Sequence, residues 1–145
     1  MGEKELRRLR QAGAIDTVEP DASTAHQELD SARRHLVSAM LIAGDDPAAA
    51  FAVGYDAIRK AISAHLRARG YRVAKGAGYH QRTGEYAMAA LDHLGVVDHI
   101  EAFDDLRQLR NQSEYEALMV GPEELAEMLA HARALVEAIG IDLGI

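Results

Sequence analysis

The chain has 145 residues, a formal net charge of −7 at pH 7 and no cysteine. A chain of this length can bury its own hydrophobic core, and the absence of cysteine excludes a disulfide framework and a thiolate zinc site. The acidic balance argues against a protein that coats nucleic acid nonspecifically, because such binding depends on neutralising phosphates, but it leaves room for a local basic cleft. We expect a single domain over residues 1–145 that resides in the cytoplasm, since no amino-terminal apolar segment is long enough to export or anchor it.

The amino-terminal segment, residues 1–22, is predicted to be peripheral. Residues 2–12 have the composition of a short polar helix, with Leu6 and Leu9 as its only large apolar side chains. Isolated helices this short are marginal in water, so we expect this one to lie at the edge of the fold.

The first two long helices carry local start and stop signals. Thr24 and Gln27 have the reciprocal spacing of a capping box, so the first helix is predicted to begin at Thr24 and to end at Gly44. Asp46 precedes a proline, which suits the first helical position, and apolar residues then recur at helical spacing until Gly70. The second of these helices is the longest and most amphipathic element of the sequence.

A glycine-rich loop over residues 70–78 is predicted to follow. The next helix is expected to run from Tyr79 to Gly95, and a fourth core helix is expected to begin with Asp98 as its N-cap. This fourth helix leads into an arginine-containing segment around Arg110.

The last helix is predicted to begin at Gly121-Pro122 and to end at Gly140. The chain shows neither an alternating strand pattern nor a repeat of fixed period. The sequence therefore predicts an all-α fold, an antiparallel bundle of four to five helices with a short amino-terminal helix.

One charged residue interrupts the apolar side of the fourth helix. Ile100, Phe103 and Leu106 recur at three-residue steps, and Arg110 falls between Phe103 and Leu106 on the same side. A guanidinium keeps its charge there and has five N–H donors to satisfy. Arg110 must therefore meet a carboxylate or line a cleft that holds an anion.

Arg107, Arg110 and Glu114 share one helix surface if the helix continues that far. One interpretation is an internal salt bridge, since an Arg and a Glu four residues apart commonly form a solvated pair of little energetic weight. The other interpretation is an anion site. It is stronger for Arg110, because its neighbours on the helix surface are apolar.

Residues 106–115 read Leu-Arg-Gln-Leu-Arg-Asn-Gln-Ser-Glu-Tyr and resemble the Arg-Asn-x-x-x-[His/Tyr] signature of HEPN domains, the higher-eukaryote and prokaryote nucleotide-binding superfamily. Residues 54–62, with the glycine-rich loop that leads to His80, are similar to the helix and loop that precede this motif in small stand-alone bacterial HEPN proteins. The resemblance covers roughly residues 24–140. It implies a HEPN-like bundle, frequently dimerised through the motif helices so that two copies of the motif line one cleft.

The resemblance also implies a chemistry. Active members cleave RNA without a metal ion: the arginine holds the phosphate, and a histidine four to six residues further on assists attack by the ribose 2′-hydroxyl. In this chain Tyr115 is followed by Glu and Ala, so the expected histidine is absent, and a phenol is a poor proton acceptor at pH 7. The sequence thus leaves open whether the chain is an enzyme.

Two groups of site residues are predicted. The candidate catalytic residues are Arg110, Tyr115 and His80. The candidate binding residues are Arg107, Asn111, Glu114 and Lys75. No cofactor and no metal ligand set is expected, and the remaining histidines are predicted to lie mostly at the surface. Plainer alternatives are a solvated loop imidazole for His80 and a flexible connection around Lys75, which lacks the Gly-Lys-Ser/Thr ending of a P-loop.

Three classes of function compete. The chain is a metal-independent ribonuclease, a binding module for RNA or nucleotides, or a non-catalytic interaction protein in which the arginine motif serves structure. We expect a homodimer that handles RNA or nucleotides through an arginine-lined cleft in a toxin–antitoxin or defence setting, without membrane association. In the third class the partner is a nucleotidyltransferase or another toxin–antitoxin component.

Overall fold

The computed structural model describes residues 2–76, 78–102, 105 and 120–145, and most of these are helical. The elements in chain order are α1 (Gly2–Gln11), β1 (Ile15–Thr17), α2 (Ala22–Ile42), α3 (Pro47–Arg69), β2 (Tyr71–Val73), α4 (Tyr79–Ala90), one turn of 3-10 helix (Asp92–Leu94), α5 (97–102) and α6 (Pro122–Leu143). The predicted all-α fold class is confirmed. Every helix in the described part of the chain is too short or too polar to cross a membrane.

The hydrophobic core is built around α3. This helix buries large side chains along its apolar stripe, among them Phe51, Tyr55, Ile58 and Ile62. α2 lies antiparallel to α3, since the amide of Asp21 before α2 donates to the carbonyl of Arg67 near the end of α3. α2 is also antiparallel to α6, and these three helices make most of the contacts between elements.

The start and end of α3 confirm two local predictions. The Asp46 side chain accepts a hydrogen bond of 3.1 Å from the Ala49 amide, which makes it the N-cap, and Pro47 occupies the first helical position. Gly70 ends the helix in the left-handed conformation at φ 80°. A side chain at Gly70 would also meet the carbonyl oxygen of Val18, so the glycine lets the segment before α2 approach closely.

The predicted boundaries of α2 are wrong at both ends. Its N-cap is Asp21, whose carboxylate accepts from the Thr24 amide at 2.9 Å and from the Thr24 hydroxyl at 2.6 Å. Thr24 therefore lies inside the first turn, because a carboxylate three residues earlier supplies the better acceptor. α2 ends at Ile42, and Gly44 does not adopt a left-handed conformation.

The prediction that no strand occurs is also wrong. β1 and β2 pair antiparallel, with Ile15 opposite Val73 and Thr17 opposite Tyr71. Ile15 and Val73 are 1% and 3% exposed, so this short ribbon ties the segment before α2 to the core. Strands of three residues are too short to show alternation in the sequence, and their pairing joins distant parts of the chain.

Three further helix boundaries differ from the prediction. α4 ends at Ala90, and a separate 3-10 turn continues to Gly95. α5 already includes residue 97, so Asp98 lies in its first turn rather than at the N-cap. α6 begins at Pro122 as predicted but continues past Gly140 to Leu143.

Gly140 is buried inside α6 for a packing reason. The guanidinium of Arg33 lies over the position a Cβ of Gly140 would occupy, and it donates at 2.9 Å to the main-chain oxygen of Ile145. The helix ends instead at Gly144, which is left-handed at φ 71°. Gly140 therefore permits a close contact between α6 and α2, and Gly144 performs the C-cap role expected of Gly140.

Candidate functional site

Two of the predicted site residues, His80 and Lys75, belong to the described part of the chain. The other five lie outside the described residues: Arg107, Arg110, Asn111, Glu114 and Tyr115. The described part of the candidate site therefore consists of the elements around His80 and Lys75.

His80 lies in the first turn of α4 and is partly buried. Its Nδ1 is 3.3 Å from the hydroxyl oxygen of Tyr55 on α3, within hydrogen-bond reach. The edge of its ring faces Tyr79, with ring centroids 5.7 Å apart. These contacts hold the imidazole against the N-terminal half of α3.

Lys75 lines a cleft that we call the cationic groove, with a volume of about 530 Å³. The groove lies between the segment before α2, the C-terminal half of α3, the residues around β2 and the start of α4. Its basic side chains are Arg67, Arg72 and Lys75, its acidic side chains are Glu19 and Asp21, and its aromatic side chains are Tyr71 and Tyr79. A volume of this size lies within the range of small-molecule binding sites.

The three cations of the cationic groove are not equally available to a ligand. Arg67 donates to Glu28 at 2.8 Å, and the Arg72 guanidinium lies 3.5 Å from the carboxylate of Asp16. Within the described part of the chain, Lys75 has neither an ion-pair partner nor a side-chain hydrogen bond. Lys75 is thus the groove cation that has no direct ion-pair partner among the described residues, although Glu19 and Asp21 line the same groove.

Two aromatic rings line the same groove as Lys75. Tyr71 and Tyr79 line the cationic groove and are both partly exposed. Aromatic faces stack on nucleobases, and ammonium groups bind phosphates through charge-assisted hydrogen bonds. The groove therefore combines the two kinds of contact that a nucleotide requires.

A second polar cluster centres on Asp142 near the end of α6. Its Oδ2 accepts from His65 Nε2 at 2.7 Å and from Arg69 at 3.1 Å, and its Oδ1 accepts from His93 at 2.8 Å. His65 Nδ1 lies 2.8 Å from the hydroxyl oxygen of the buried Tyr86. This Asp142 cluster joins α3, α4, the 3-10 turn and α6.

The protonation states in the Asp142 cluster follow from its burial and hydrogen bonds. Burial lowers the pKa of His65, despite the opposing effect of Asp142. Burial alone would raise the pKa of Asp142, but hydrogen bonds from His93, His65 and Arg69 outweigh it and hold the pKa well below 3.8. A neutral His65 therefore accepts from the Tyr86 hydroxyl at Nδ1 and donates to Asp142 from Nε2.

The Asp142 cluster is structural in character, because His65 is 2% exposed and Tyr86 is fully buried, so neither can meet a substrate. His65 is the buried exception among the histidines that were predicted to lie mostly at the surface. A signal was available, since His65 follows Ile62 by three residues and Ile58 by seven on the apolar stripe of α3. Nothing comparable in the sequence indicated its pairing with Asp142.

Two further histidines join α5 to α6. The Nδ1 atoms of His99 and His131 are 2.8 Å apart, so one ring donates and the other accepts. Within the described ranges, no three His, Cys, Asp or Glu side chains are arranged to hold a metal ion.

A match to a protein family covers nearly the whole helical bundle. A model described as HEPN domain matches residues 22–141, from the start of α2 almost to the end of α6. Neither the curated proteins nor the solved structures give a match.

Proposed function

The chain belongs to the HEPN domain family, and from that membership we propose that it handles RNA or nucleotides. The observation that carries the proposal is that Lys75, which has no direct ion-pair partner among the described residues, lines the cationic groove together with Tyr71 and Tyr79. The Lys75 ammonium binds a phosphate, while a base stacks on Tyr71 or Tyr79. Such contacts favour single-stranded RNA or a free nucleotide, whose bases are accessible, over a duplex.

The arginine motif supplies the second half of the proposed site. Arg107, Arg110 and Asn111 bind a phosphate, Glu114 orients an arginine and Tyr115 borders the cleft. In a homodimer, the motifs of both subunits contribute to one cleft. The role proposed for the motif is inferred from the family membership of the chain, whereas the role proposed for the cationic groove is inferred from the geometry of the described residues.

Binding is tested by fluorescence anisotropy with a labelled single-stranded RNA oligonucleotide. Lys75→Ala is expected to weaken binding about tenfold, which corresponds to about 1.4 kcal/mol for one charge-assisted phosphate contact. Affinity should also fall steeply with salt, because phosphate contacts release counterions. The matched control is Lys4→Ala, which removes the same charge from exposed α1, outside the cationic groove.

Equal affinity of the wild type and Lys75→Ala would contradict a role for the groove. Arg110→Ala tests the motif separately, with Arg133→Ala, at an exposed position of α6, as its control. Loss of binding in Arg110→Ala but not in Lys75→Ala would confine the proposed site to the motif.

If the protein also cleaves RNA, the reaction is metal-independent. Arg110 stabilises the charge that develops on the phosphate, and His80 accepts the proton of the 2′-hydroxyl as it attacks phosphorus. The bond from phosphorus to the 5′-oxygen then breaks, and the leaving 5′-oxygen takes a proton from water. Incubation with total RNA and a chelator should then leave cyclic-phosphate ends, and both Arg110→Ala and His80→Ala should abolish them. Intact RNA in the wild-type reaction would exclude cleavage and would leave RNA binding as the proposed function.

The second candidate function is a non-catalytic interaction protein, favoured by Tyr115 in place of the expected histidine. In this function Glu114 neutralises Arg110, and the bundle docks a nucleotidyltransferase or another toxin–antitoxin component. It predicts that Arg110→Ala destabilises the fold without changing RNA affinity. Urea denaturation and the anisotropy assay on the same variant separate the two functions.

A further inference from the structure

The cationic groove also contains two carboxylates, which belong to Glu19 and Asp21. The two oxygens of Asp21 accept from the amide and the hydroxyl of Thr24, at 2.9 Å and 2.6 Å. Glu19 is exposed, and the described residues include no ion-pair or side-chain hydrogen-bond partner for it. Glu19 is therefore the groove carboxylate that a ligand can reach.

Glu19 and Lys75 lie on opposite sides of Tyr71 along the β-ribbon. The amide of Val18 donates to the carbonyl of Gly70 at 2.9 Å, which places Glu19 beside the start of β2. Because β1 and β2 are antiparallel, the chain at Glu19 runs away from Lys75. Lys75 follows Tyr71 by four residues in the other direction, up to about 14 Å away at about 3.4 Å per residue. The groove thus has a carboxylate end and an ammonium end.

The surface between these two charges suits a flat ring. Leu66 and Val73 line the groove and are 5% and 3% exposed, so they give it an apolar floor. The ring of Tyr71 is partly exposed and packs against the buried Tyr86, with ring centroids 5.9 Å apart. A ring that is already held in place loses little side-chain entropy when a base stacks on it.

A nucleotide has the same polarity as the groove. Its phosphate lies at one end, where the Lys75 ammonium binds it, and the hydrogen-bonding edge of its base lies at the other. That edge then meets Glu19. The two oxygens of an ionised carboxylate only accept hydrogen bonds, so Glu19 selects a base edge with two donors side by side.

Guanine presents such an edge. Its N1–H and its 2-amino group are adjacent donors and match the two carboxylate oxygens. Adenine and cytosine each present one amino donor beside a ring-nitrogen acceptor, and uracil presents one N–H between two carbonyl oxygens. An acceptor placed against a carboxylate is left without a donor, which is unfavourable.

We infer that Glu19 makes the cationic groove selective for guanine. The Glu19 carboxylate binds the Watson–Crick edge of a guanine that stacks on Tyr71, while Lys75 binds the phosphate. This inference rests on the proposed function and narrows its ligand to a guanine nucleotide or an unpaired guanosine in single-stranded RNA.

Selectivity is tested with the full-length chain by fluorescence anisotropy. The probes are labelled oligouridines that carry one central guanosine, adenosine or inosine. The wild type should bind the guanosine probe about tenfold or more tightly than the adenosine probe, because one bidentate pair discriminates by about that factor. Inosine lacks the 2-amino group, so its probe should bind with intermediate affinity.

Competition distinguishes the two sources of the base. Guanosine 5′-monophosphate that displaces the guanosine probe better than adenosine 5′-monophosphate does would support the inference with a free nucleotide as ligand. Displacement by neither nucleotide, with the guanosine preference among the probes retained, would support it with an RNA strand as ligand.

Glu19→Gln should move the preference toward adenine. A glutamine amide offers one donor and one acceptor, which match N1 and the 6-amino group of adenine. The ratio of guanosine-probe to adenosine-probe affinity should therefore fall about tenfold or more. A side chain that only stabilised the fold would change both affinities together.

Two controls accompany this variant. Glu3→Gln makes the same change at an exposed position of α1, outside the cationic groove, and should preserve the guanosine preference. Lys75→Ala should weaken the binding of both probes by a similar factor and leave their ratio unchanged, since it removes a phosphate contact rather than a base contact. Circular dichroism of every variant checks that helix content is retained.

Equal wild-type affinity for the guanosine and adenosine probes would overturn the inference. So would a guanosine preference that Glu19→Gln leaves unchanged. In both cases the proposed function stands if binding still depends on salt and on Lys75. If the wild type binds none of the probes and neither nucleotide, the proposed function fails together with this inference.

Discussion

At the scale of single residues, the charge of Asp142 is the most heavily supported in the described part of the chain. Three side chains from two elements donate to its carboxylate: His65, Arg69 and His93. These hydrogen bonds fit an ionised Asp142 and a neutral His65. Protonating either group would place an additional proton on an atom that serves as a hydrogen-bond acceptor. The cluster therefore makes the stability of the fold depend on pH.

The Asp142 cluster predicts acid sensitivity in two steps. The pKa of His65 is lowered below 6.5 in the folded state, so the unfolded state binds more protons there and stability falls as pH drops below about 6.5. The pKa of Asp142 is also lowered in the folded state, so its contribution is present above about pH 4 and is lost below. Urea denaturation between pH 8 and pH 3 should show both declines.

His65→Gln separates the two steps. It should cost about 1–3 kcal/mol at pH 7.5, because buried hydrogen-bond partners lose their contacts, but it should flatten the decline between pH 7 and pH 5. His26→Gln, at an exposed position of α2, is the control and should preserve that decline. An unchanged slope in His65→Gln would show that other groups cause the acid sensitivity.

At the scale of elements, capping decides where the helices begin. Asp46 and Asp98 were both expected to be N-caps from the sequence, but only Asp46 precedes its helix and accepts from an amide of the first turn. Asp21 caps α2, although the sequence favours Thr24 as the start of this helix. Several residues near a helix start can perform this role, and the sequence does not show which conformation the backbone adopts.

Replacing Asp46 and Asp98 by alanine should have different effects on the free energy of unfolding. Asp46→Ala is expected to lower the free energy of unfolding by about 1 kcal/mol, because an amide at the start of α3 loses its acceptor. Asp98→Ala should cost about 0.5 kcal/mol or less, since only the interaction of its charge with the helix dipole is lost. Urea denaturation of both variants at pH 7 makes the comparison, and equal losses would argue against the observed caps.

At the scale of the whole molecule, the amino-terminal segment is joined to the bundle by β1. Ile15 is 1% exposed and belongs to the same core cluster as Tyr55 and Tyr86, while β1 pairs with β2 next to the cationic groove. The short ribbon therefore holds Tyr71 and Arg72 in position at that groove. We propose that residues 1–22 unfold together with the rest of the chain as parts of one domain.

Ile15→Ala tests this cooperativity. It should lower the free energy of unfolding by about 2–4 kcal/mol within a single transition, because it leaves a cavity in the shared core. Leu6→Ala on α1 is the comparison, since Leu6 only partly packs against the core and should cost less. A main transition that Ile15→Ala leaves unchanged would show that the segment unfolds separately.

The sequence by itself determined the helical fold class, the length and caps of α3, the start of α6 and a resemblance that the family match confirms. These properties depend on the spacing of apolar residues and on signals within one turn, which are local. Only the tertiary structure decided the pairing of Ile15 with Val73, the burial of Gly140 under Arg33 and the meeting of four elements in the Asp142 cluster. Each of these contacts joins residues far apart in the chain, so it depends on how the packed helices meet rather than on any pattern within one of them.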